Sequence, residues 1–254
     1  MLQFIRWCGN VKLNNGSTLI VTGVHGVGKT TMMHFMKEIV SSSEPHQYCQ
    51  DQGWVTSDEY DNLVFDFEAI PIILSLGDNI FDNIYNLGKP QSIRKSLGMG
   101  GNFLGFGGNV ASSWENNDFS KVGQALKKIE KNPGRPMVFF IDTVGTLKRD
   151  LGSDIKYITE YARQKNIVHL NFVIAVDTEN YQQSSYFSTQ CNVIEVGTLG
   201  KRPLLEYANR IAEYHGISIN DKKVCDFIDN NSCDINKLKS FINKFGGTIN
   251  AKRT

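Results

Sequence analysis

The chain has 254 residues, of which 41% are apolar and 21% charged, enough for one large domain, or one domain with a small appendage, around a sizeable core. Lys and Arg total 27 against 26 Asp and Glu, a formal net charge of +1. This balance excludes a protein whose binding depends on a global basic field for nucleic acid or on an acidic tail. Glycine is in excess, with 23 residues against 6 prolines.

The N-terminal segment Met1–Cys8 lacks a basic stretch followed by an apolar core, so no signal peptide is predicted. No run approaches the about 18–20 apolar residues of a membrane span. The five cysteines are scattered and form no CxxC pair. We therefore expect reduced thiols in an intracellular protein, cytoplasmic or nuclear, without a zinc cluster.

Apolar runs alternate with helical patterns over the first 200 residues. Strands are predicted at Ser17–Val21, Leu63–Phe67, Met137–Ile141, Val168–Val176 and Val193–Val196. Helices are predicted at Lys29–Val40, at 70–96 (entered through Pro71), and at Phe119–Lys131, Asp154–Lys165 and Tyr181–Phe187, whereas 45–61 is predicted to be a loop. This alternation, with continuously apolar strands, is typical of a buried parallel sheet in an α/β protein.

Three short amphipathic helical patterns follow, at 203–215, 221–230 and 234–245, with no strand between them. Residues 201–254 hold 10 Lys or Arg and 6 Asp or Glu, whereas residues 1–200 hold 17 and 20. The sequence therefore predicts a slightly acidic core over 1–200 and a small basic helical subdomain over 201–254.

The motif that carries chemistry is Gly23-Val24-His25-Gly26-Val27-Gly28-Lys29-Thr30, which fits GxxxxGK[ST] and lies between a predicted strand and a predicted helix. Its glycines would turn backbone N–H groups toward a phosphate, and the helix N-terminus adds partial positive charge. Lys29 would reach the β- and γ-phosphates, and the Thr30 hydroxyl would ligate Mg²⁺. The predicted nucleotide-binding residues are Gly23, Gly26, Val27, Gly28, Lys29, Thr30 and Thr31.

A second element is Met137-Val138-Phe139-Phe140-Ile141-Asp142, an apolar strand that ends in a carboxylate. Such a strand end would deliver Asp142 beside the phosphate loop to hold Mg²⁺. The alternative carboxylate is Asp66, in Leu63-Val64-Phe65-Asp66.

Together these residues resemble the additional-strand class of P-loop ATPases, and the helical tail resembles the lid of AAA+ and STAND-type members. The resemblance implies a three-layer α/β/α core followed by a helical lid, with ATP and Mg²⁺ as cofactors. It also implies a strand inserted between the phosphate loop and the Asp strand, for which Leu63–Phe67 is the candidate.

Three positions depart from that class. Its members usually carry Glu directly after the magnesium Asp as the base that activates water, and here the residue is Thr143, which cannot accept a proton at neutral pH as a carboxylate does. Asp177 and Glu179 are the nearest replacement bases, and Asp177 or Thr178 is alternatively the polar sensor of the γ-phosphate.

The other two departures concern arginine. No Arg lies between Gln164 and Lys201, where ring-forming members usually place an arginine finger, which favours a switch over a motor. Asn236 stands where a lid arginine is expected, with Lys237 beside it. The other lid cations that could face phosphate are Lys201, Arg202 and Arg210.

Six glycines interleaved with apolar residues at 98–108 mark an insertion near 97–110. It is either an inserted β-hairpin or flap that packs on the core, or a mobile loop that engages a partner, substrate or membrane, and Trp114 could anchor it. Homo-oligomers or protein partners would use this insertion or the lid. Nucleic acid is a weaker expectation, from the basic tail.

The sequence is compatible with three functions. The first is a Mg²⁺-dependent ATP-binding protein with weak hydrolysis. The second is a regulatory module without turnover, and the third is a nucleoside or nucleotide kinase, with Lys148-Arg149 as its nearest paired cations. The absence of an NKxD sequence favours ATP over GTP.

Overall fold

The structure of the chain is a computed structural model. The residues that the structure describes are 1–11, 16–55, 67–75, 78–89, 119–132, 134–144, 150–167, 170–231 and 235–250.

Within the described residues, five strands form one sheet in the order β2-β3-β4-β1-β5. Their bounds are β1 Thr18–Gly23, β2 Glu68–Ser75, β3 Met137–Val144, β4 Leu170–Asp177 and β5 Asn192–Glu195. β2 and β4 each pair in parallel with β3. All six residues of β1 are buried, as are the first seven of β4. This burial on both faces is what continuously apolar strands predict for a parallel sheet covered by helices.

Eleven helices are described. They are α1 Leu2–Val11, α2 Lys29–Ser41, α3 Pro45–Asp51, α4 Ile80–Leu87, α5 Phe119–Ile129, α6 Leu151–Gln164, α7 Thr178–Gln183, α8 Ser185–Gln190, α9 Lys201–Tyr214, α10 Asp221–Asn230 and α11 Ile235–Asn250.

Successive residues of β3 point to opposite faces of the sheet, and each face has its own helices. Phe139 stacks on Phe172 of β4 at 5.6 Å between ring centroids, in a core that includes buried residues of α4, α5 and α6. On the opposite face, Phe140 meets Phe4 of α1 edge-on at 6.3 Å. The arrangement is therefore a three-layer α/β/α fold, as the resemblance implied.

The prediction of a helix entered through Pro71 was wrong, because Pro71 lies inside β2. Among the described strands β2 lies at the edge of the sheet, and its exposed residues Pro71 and Ile73 alternate with buried Ile70, Ile72 and Leu74. A proline is tolerated in an edge strand because its missing N–H can face away from the neighbouring strand. The helical part of that prediction is confined to α4 among the described residues.

The strand inserted between β1 and β3 is β4, so the assignment of Leu63–Phe67 to that place was wrong. Most of that candidate strand, including Asp66, lies outside the described residues, and the strand of this region is β2 at the sheet edge. The predicted loop over 45–61 was also partly wrong, since α3 begins at Pro45, where a proline suits the first helical turn.

The chain forms two compact units. One comprises Met1–Thr22 and Thr30–Ile194, and it contains the layers around the sheet. The other comprises Gly23–Lys29 and Glu195–Thr254, and α9, α10 and α11 form its core through Leu204, Ala208, Val224, Leu238 and Ile242. The sequence-predicted division at residue 200 stays a prediction.

Four cysteines fall in the described parts of the chain, and all four are free thiols: Cys8, Cys49, Cys191 and Cys225. Among the described residues, none of the helices has the length and apolar character needed to cross a membrane.

Candidate functional site

The phosphate loop runs from the end of β1 at Gly23 to the start of α2 at Lys29. Gly26 and Gly28 have φ angles of +77° and +102°, which side chains other than hydrogen rarely permit. Residues of alternating handedness turn successive N–H groups toward one side and form an anion-binding concavity. The glycines of the motif thus supply the backbone shape that a phosphate site needs.

Gly23 is required for a different reason. A Cβ built at this position would lie 2.5 Å from the carbonyl oxygen of Val196 and 3.0 Å from Cγ1 of Val27. The chain that leaves β5 therefore packs directly against the first residue of the loop, and any side chain at Gly23 would displace it.

The Lys29 ammonium folds back over the loop. Its Nζ donates hydrogen bonds to the carbonyl oxygens of Gly23 at 2.9 Å and Val24 at 3.0 Å. These contacts hold a positive charge at the mouth of the glycine turn, where charge-assisted hydrogen bonds to phosphate oxygens would form.

The other predicted loop residues differ in what they can offer a ligand. Thr30 and Thr31 lie exposed on the first turn of α2, so both hydroxyls are accessible. Val27 is only 4% exposed, so its side chain fills the interior and only its main chain is available. His25 is exposed, as expected of a variable position in the motif.

A contact that the sequence did not predict joins the loop to α11. The main-chain N–H of Ile235 donates to the carbonyl oxygen of Gly26 at 3.4 Å. A Cβ built at Gly28 would lie 3.7 Å from Cδ1 of Ile235. No short motif reveals a main-chain contact between segments so far apart in the sequence, and Ile235 carries no charge that would mark it as a phosphate ligand.

Asp142 lies near the carboxyl end of β3, opposite Ala175 of β4 and Ile73 of β2. It is half-buried. Because β1, β3 and β4 are parallel strands of one sheet, their carboxyl ends lie at the same edge of the sheet. Open parallel sheets bind their ligands at that edge.

Thr143, which follows Asp142, is held by the neighbouring strand. Its hydroxyl donates to the carbonyl oxygen of Ala175 at 2.7 Å. The side chain at the position of the usual base is therefore a neutral donor engaged with the main chain.

Asp177 ends β4 and caps α7. Its carboxylate accepts a hydrogen bond from the main-chain N–H of Asn180 at 2.9 Å. This is the usual arrangement of an N-capping aspartate, so the candidate base already has a structural role.

Two of the predicted lid cations are paired with carboxylates. Lys201 Nζ lies 2.6 Å from Asp229, and this hydrogen bond raises the pKa of Lys201. Arg202 lies 3.2 Å from Glu206 on the same helix. Other predicted features lie outside the part of the chain that the structure describes. They are the side chain of Asn236, the pair Lys148-Arg149, Trp114 and the glycine-rich segment 98–108.

Comparison with known proteins gives similarity in structure but not in sequence. No protein-family model matches the chain, and no curated protein sequence matches it either. The Orc1 protein of Aeropyrum pernix, solved in complex with DNA, matches with a TM-score of 0.58 and 13% identity over 100% of this chain and 60% of that one. The S. cerevisiae Hsp104:casein complex matches with a TM-score of 0.52 and 15% identity over 99% of this chain and 38% of that one.

The strand order and the phosphate loop, together with these similarities, define the class of fold. The chain has a three-layer α/β/α P-loop NTPase fold, which it shares with these two solved structures. It spans less than two thirds of the length of either of those solved chains.

Proposed function

We propose that the protein binds ATP with Mg²⁺ and acts as a conformational switch with slow hydrolysis. The observation that carries this proposal is the geometry of the loop from Gly23 to Lys29, with two left-handed glycines and a lysine ammonium across its mouth. A backbone concavity of this kind, opening a helix, is suited to the phosphates of a nucleotide.

The residues present fit a magnesium ion. Mg²⁺ prefers oxygen ligands and is usually held by one or two protein groups together with substrate phosphates. The exposed Thr30 hydroxyl and the half-buried Asp142 carboxylate supply oxygens of the required kind. When bound, the metal would neutralise charge on the phosphates, while Thr30 and Asp142 would fix its place.

Slow turnover follows from the two positions where a base would be expected. The Thr143 hydroxyl donates to Ala175, and the Asp177 carboxylate caps α7. Asp177 remains the proposed base. Its carboxylate would have to accept a proton from water while it also accepts the capping hydrogen bond from Asn180. A nucleotide whose hydrolysis is slow would occupy the loop long enough to set a conformation.

The remaining parts of the proposal concern organisation. We assign residues 1–200 to the nucleotide-binding core and 201–254 to a lid. ATP is the proposed ligand, and a second copy of the chain or another protein would engage the lid or the glycine-rich insertion. DNA is bound in the Orc1 structure and casein in the Hsp104 structure, and neither is assigned to this chain.

The test is a titration with a fluorescent ATP analogue, with and without Mg²⁺. Lys29→Ala removes the ammonium and should weaken binding by roughly tenfold or more, the effect of losing charge-assisted hydrogen bonds. Lys37→Ala, on the same helix, is the matched control and should bind like the wild type. Equal affinity of the Lys29→Ala variant and the wild type would contradict the proposal.

A further inference from the structure

Ile235, the first residue of α11, contacts two of the loop glycines in two ways. Its main-chain N–H donates to Gly26, and its δ-methyl lies beside Gly28. The first N–H groups of a helix have no partner within the helix, so this donor is available for an outside acceptor. The loop carbonyl therefore satisfies a group that would otherwise need water.

The same residue belongs to the packing of the three C-terminal helices. Ile235 is partly buried against the core that α9, α10 and α11 share. Its position is thus determined by that core, and the N–H that it offers to Gly26 is held in place by the packing of its own side chain.

The contact fixes the orientation of one peptide group of the loop. The carbonyl of Gly26 and the N–H of Val27 belong to the same planar trans peptide and point in opposite directions. On one side the carbonyl accepts from Ile235, and on the other the Val27 N–H donates to the carbonyl of Val24 at 3.4 Å. Because Gly26 has no side chain, little else prevents this peptide from rotating.

We propose that Ile235 is a positioning residue that presets the phosphate loop by holding the Gly26–Val27 peptide in one orientation. The three C-terminal helices would then contribute to nucleotide affinity through a main-chain contact and not through an arginine. The effect on affinity rests on the proposed function, whereas the effect on the loop itself does not.

Ile235→Pro tests the contact with little damage to the helix. Proline lacks the N–H, yet it is well tolerated at the first position of a helix. We expect amide hydrogen exchange at Val27 and Gly28 to rise about fivefold in the ligand-free protein, the factor that corresponds to one net hydrogen bond. Affinity for the ATP analogue should fall by a similar factor.

Asp221→Pro is the matched control, because Asp221 is the first residue of α10 in the same three-helix core. It should leave loop exchange and affinity at wild-type values. Ile235→Val, which keeps the N–H and removes the δ-methyl, should change loop exchange less than Ile235→Pro does.

The wild type offers an independent measurement should Ile235→Pro fail to fold. The Ile235 amide should exchange more slowly than that of Asp221, since both begin helices but only Ile235 has Gly26 as an acceptor. Any of three results would overturn the proposal. They are equal hydrogen exchange at the Ile235 and Asp221 amides, exchange at Val27 and Gly28 that is unchanged in Ile235→Pro, and tighter nucleotide binding by that variant. A wild type that binds no nucleotide would refute the proposed function, and the exchange measurements would still decide the role of Ile235.

Discussion

Thr143 and Asp177 each use a side-chain oxygen to hold main chain at the carboxyl ends of β3 and β4. Thr143 bonds across to the neighbouring strand, and Asp177 bonds forward to the first turn of α7. Both residues stand where chemistry would be expected, and both have a structural role. Substitutions that separate structure from catalysis are therefore informative at these two positions.

Thr143→Val keeps the shape of the side chain and removes the hydroxyl. Because one partly buried hydrogen bond is lost, the free energy of unfolding should fall by about 1 kcal/mol. Phosphate release should be unchanged, since the hydroxyl is not the base. Urea unfolding and a phosphate-release assay on the same preparation would show this, and a large loss of turnover with unchanged stability would contradict it.

At Asp177, two substitutions distinguish capping from proton transfer. Asp177→Asn retains an oxygen that can accept from Asn180, so stability should stay near that of the wild type, whereas Asp177→Ala should cost about 1 kcal/mol. If Asp177 is the base, both variants lose phosphate release. Turnover retained in Asp177→Asn would remove it from the catalytic role.

At the scale of elements, substitution by alanine is expected to have opposite effects on stability at two glycines. Gly88 ends α4 with an ordinary φ of −72°, but a Cβ there would lie 2.6 Å from Cα and 2.7 Å from Cβ of Ala125 on α5. Gly9 lies in α1, exposed, and a Cβ there would meet no atom within 4 Å.

Gly88→Ala should therefore destabilise the protein by about 1–3 kcal/mol, because the two helices must separate. Gly9→Ala should stabilise it by about 0.5–1 kcal/mol, because alanine loses less backbone entropy in a helix. Thermal unfolding of the two variants and of the wild type shows directly whether each substitution raises or lowers stability. A stabilised Gly88→Ala variant would mean that α4 and α5 do not approach as closely as described.

For the molecule as a whole, the absence of arginine between Gln164 and Lys201 in the sequence bears on assembly. Without an arginine there to reach a neighbour's nucleotide, ATP should give no stabilisation of a ring. We expect the elution volume in size-exclusion chromatography to be the same with and without Mg²⁺ and ATP. A shift to a larger species on adding ATP would favour a motor over a switch.

The sequence predicted the sheet well where strands are buried on both faces, since β1, β3 and β4 each contain an uninterrupted apolar run. It failed at β2, where Pro71 was interpreted as the start of a helix, although the residue lies inside the strand. Pattern alone cannot show that a strand lies at an edge, because that depends on which strands pair.

For the candidate site, the motif identified the loop, and the strand pattern placed Asp142 at the carboxyl end of β3. The loop glycines have the left-handed angles expected of them at Gly26 and Gly28. The contacts of Val196 and Ile235 with the loop were beyond prediction, because they involve main-chain atoms and depend on tertiary packing. The metal and catalytic roles of these residues stay predictions.

The proline in β2 has a consequence for contacts between molecules. Glu68 donates its N–H toward the β3 side, to the carbonyl of Pro136, and N–H groups alternate along a strand, so position 71 belongs to the set that points away from β3. The outward row of donors is therefore interrupted in its middle. Another chain that tried to extend the sheet by adding a strand to β2 would find no donor there, which protects this edge against aggregation.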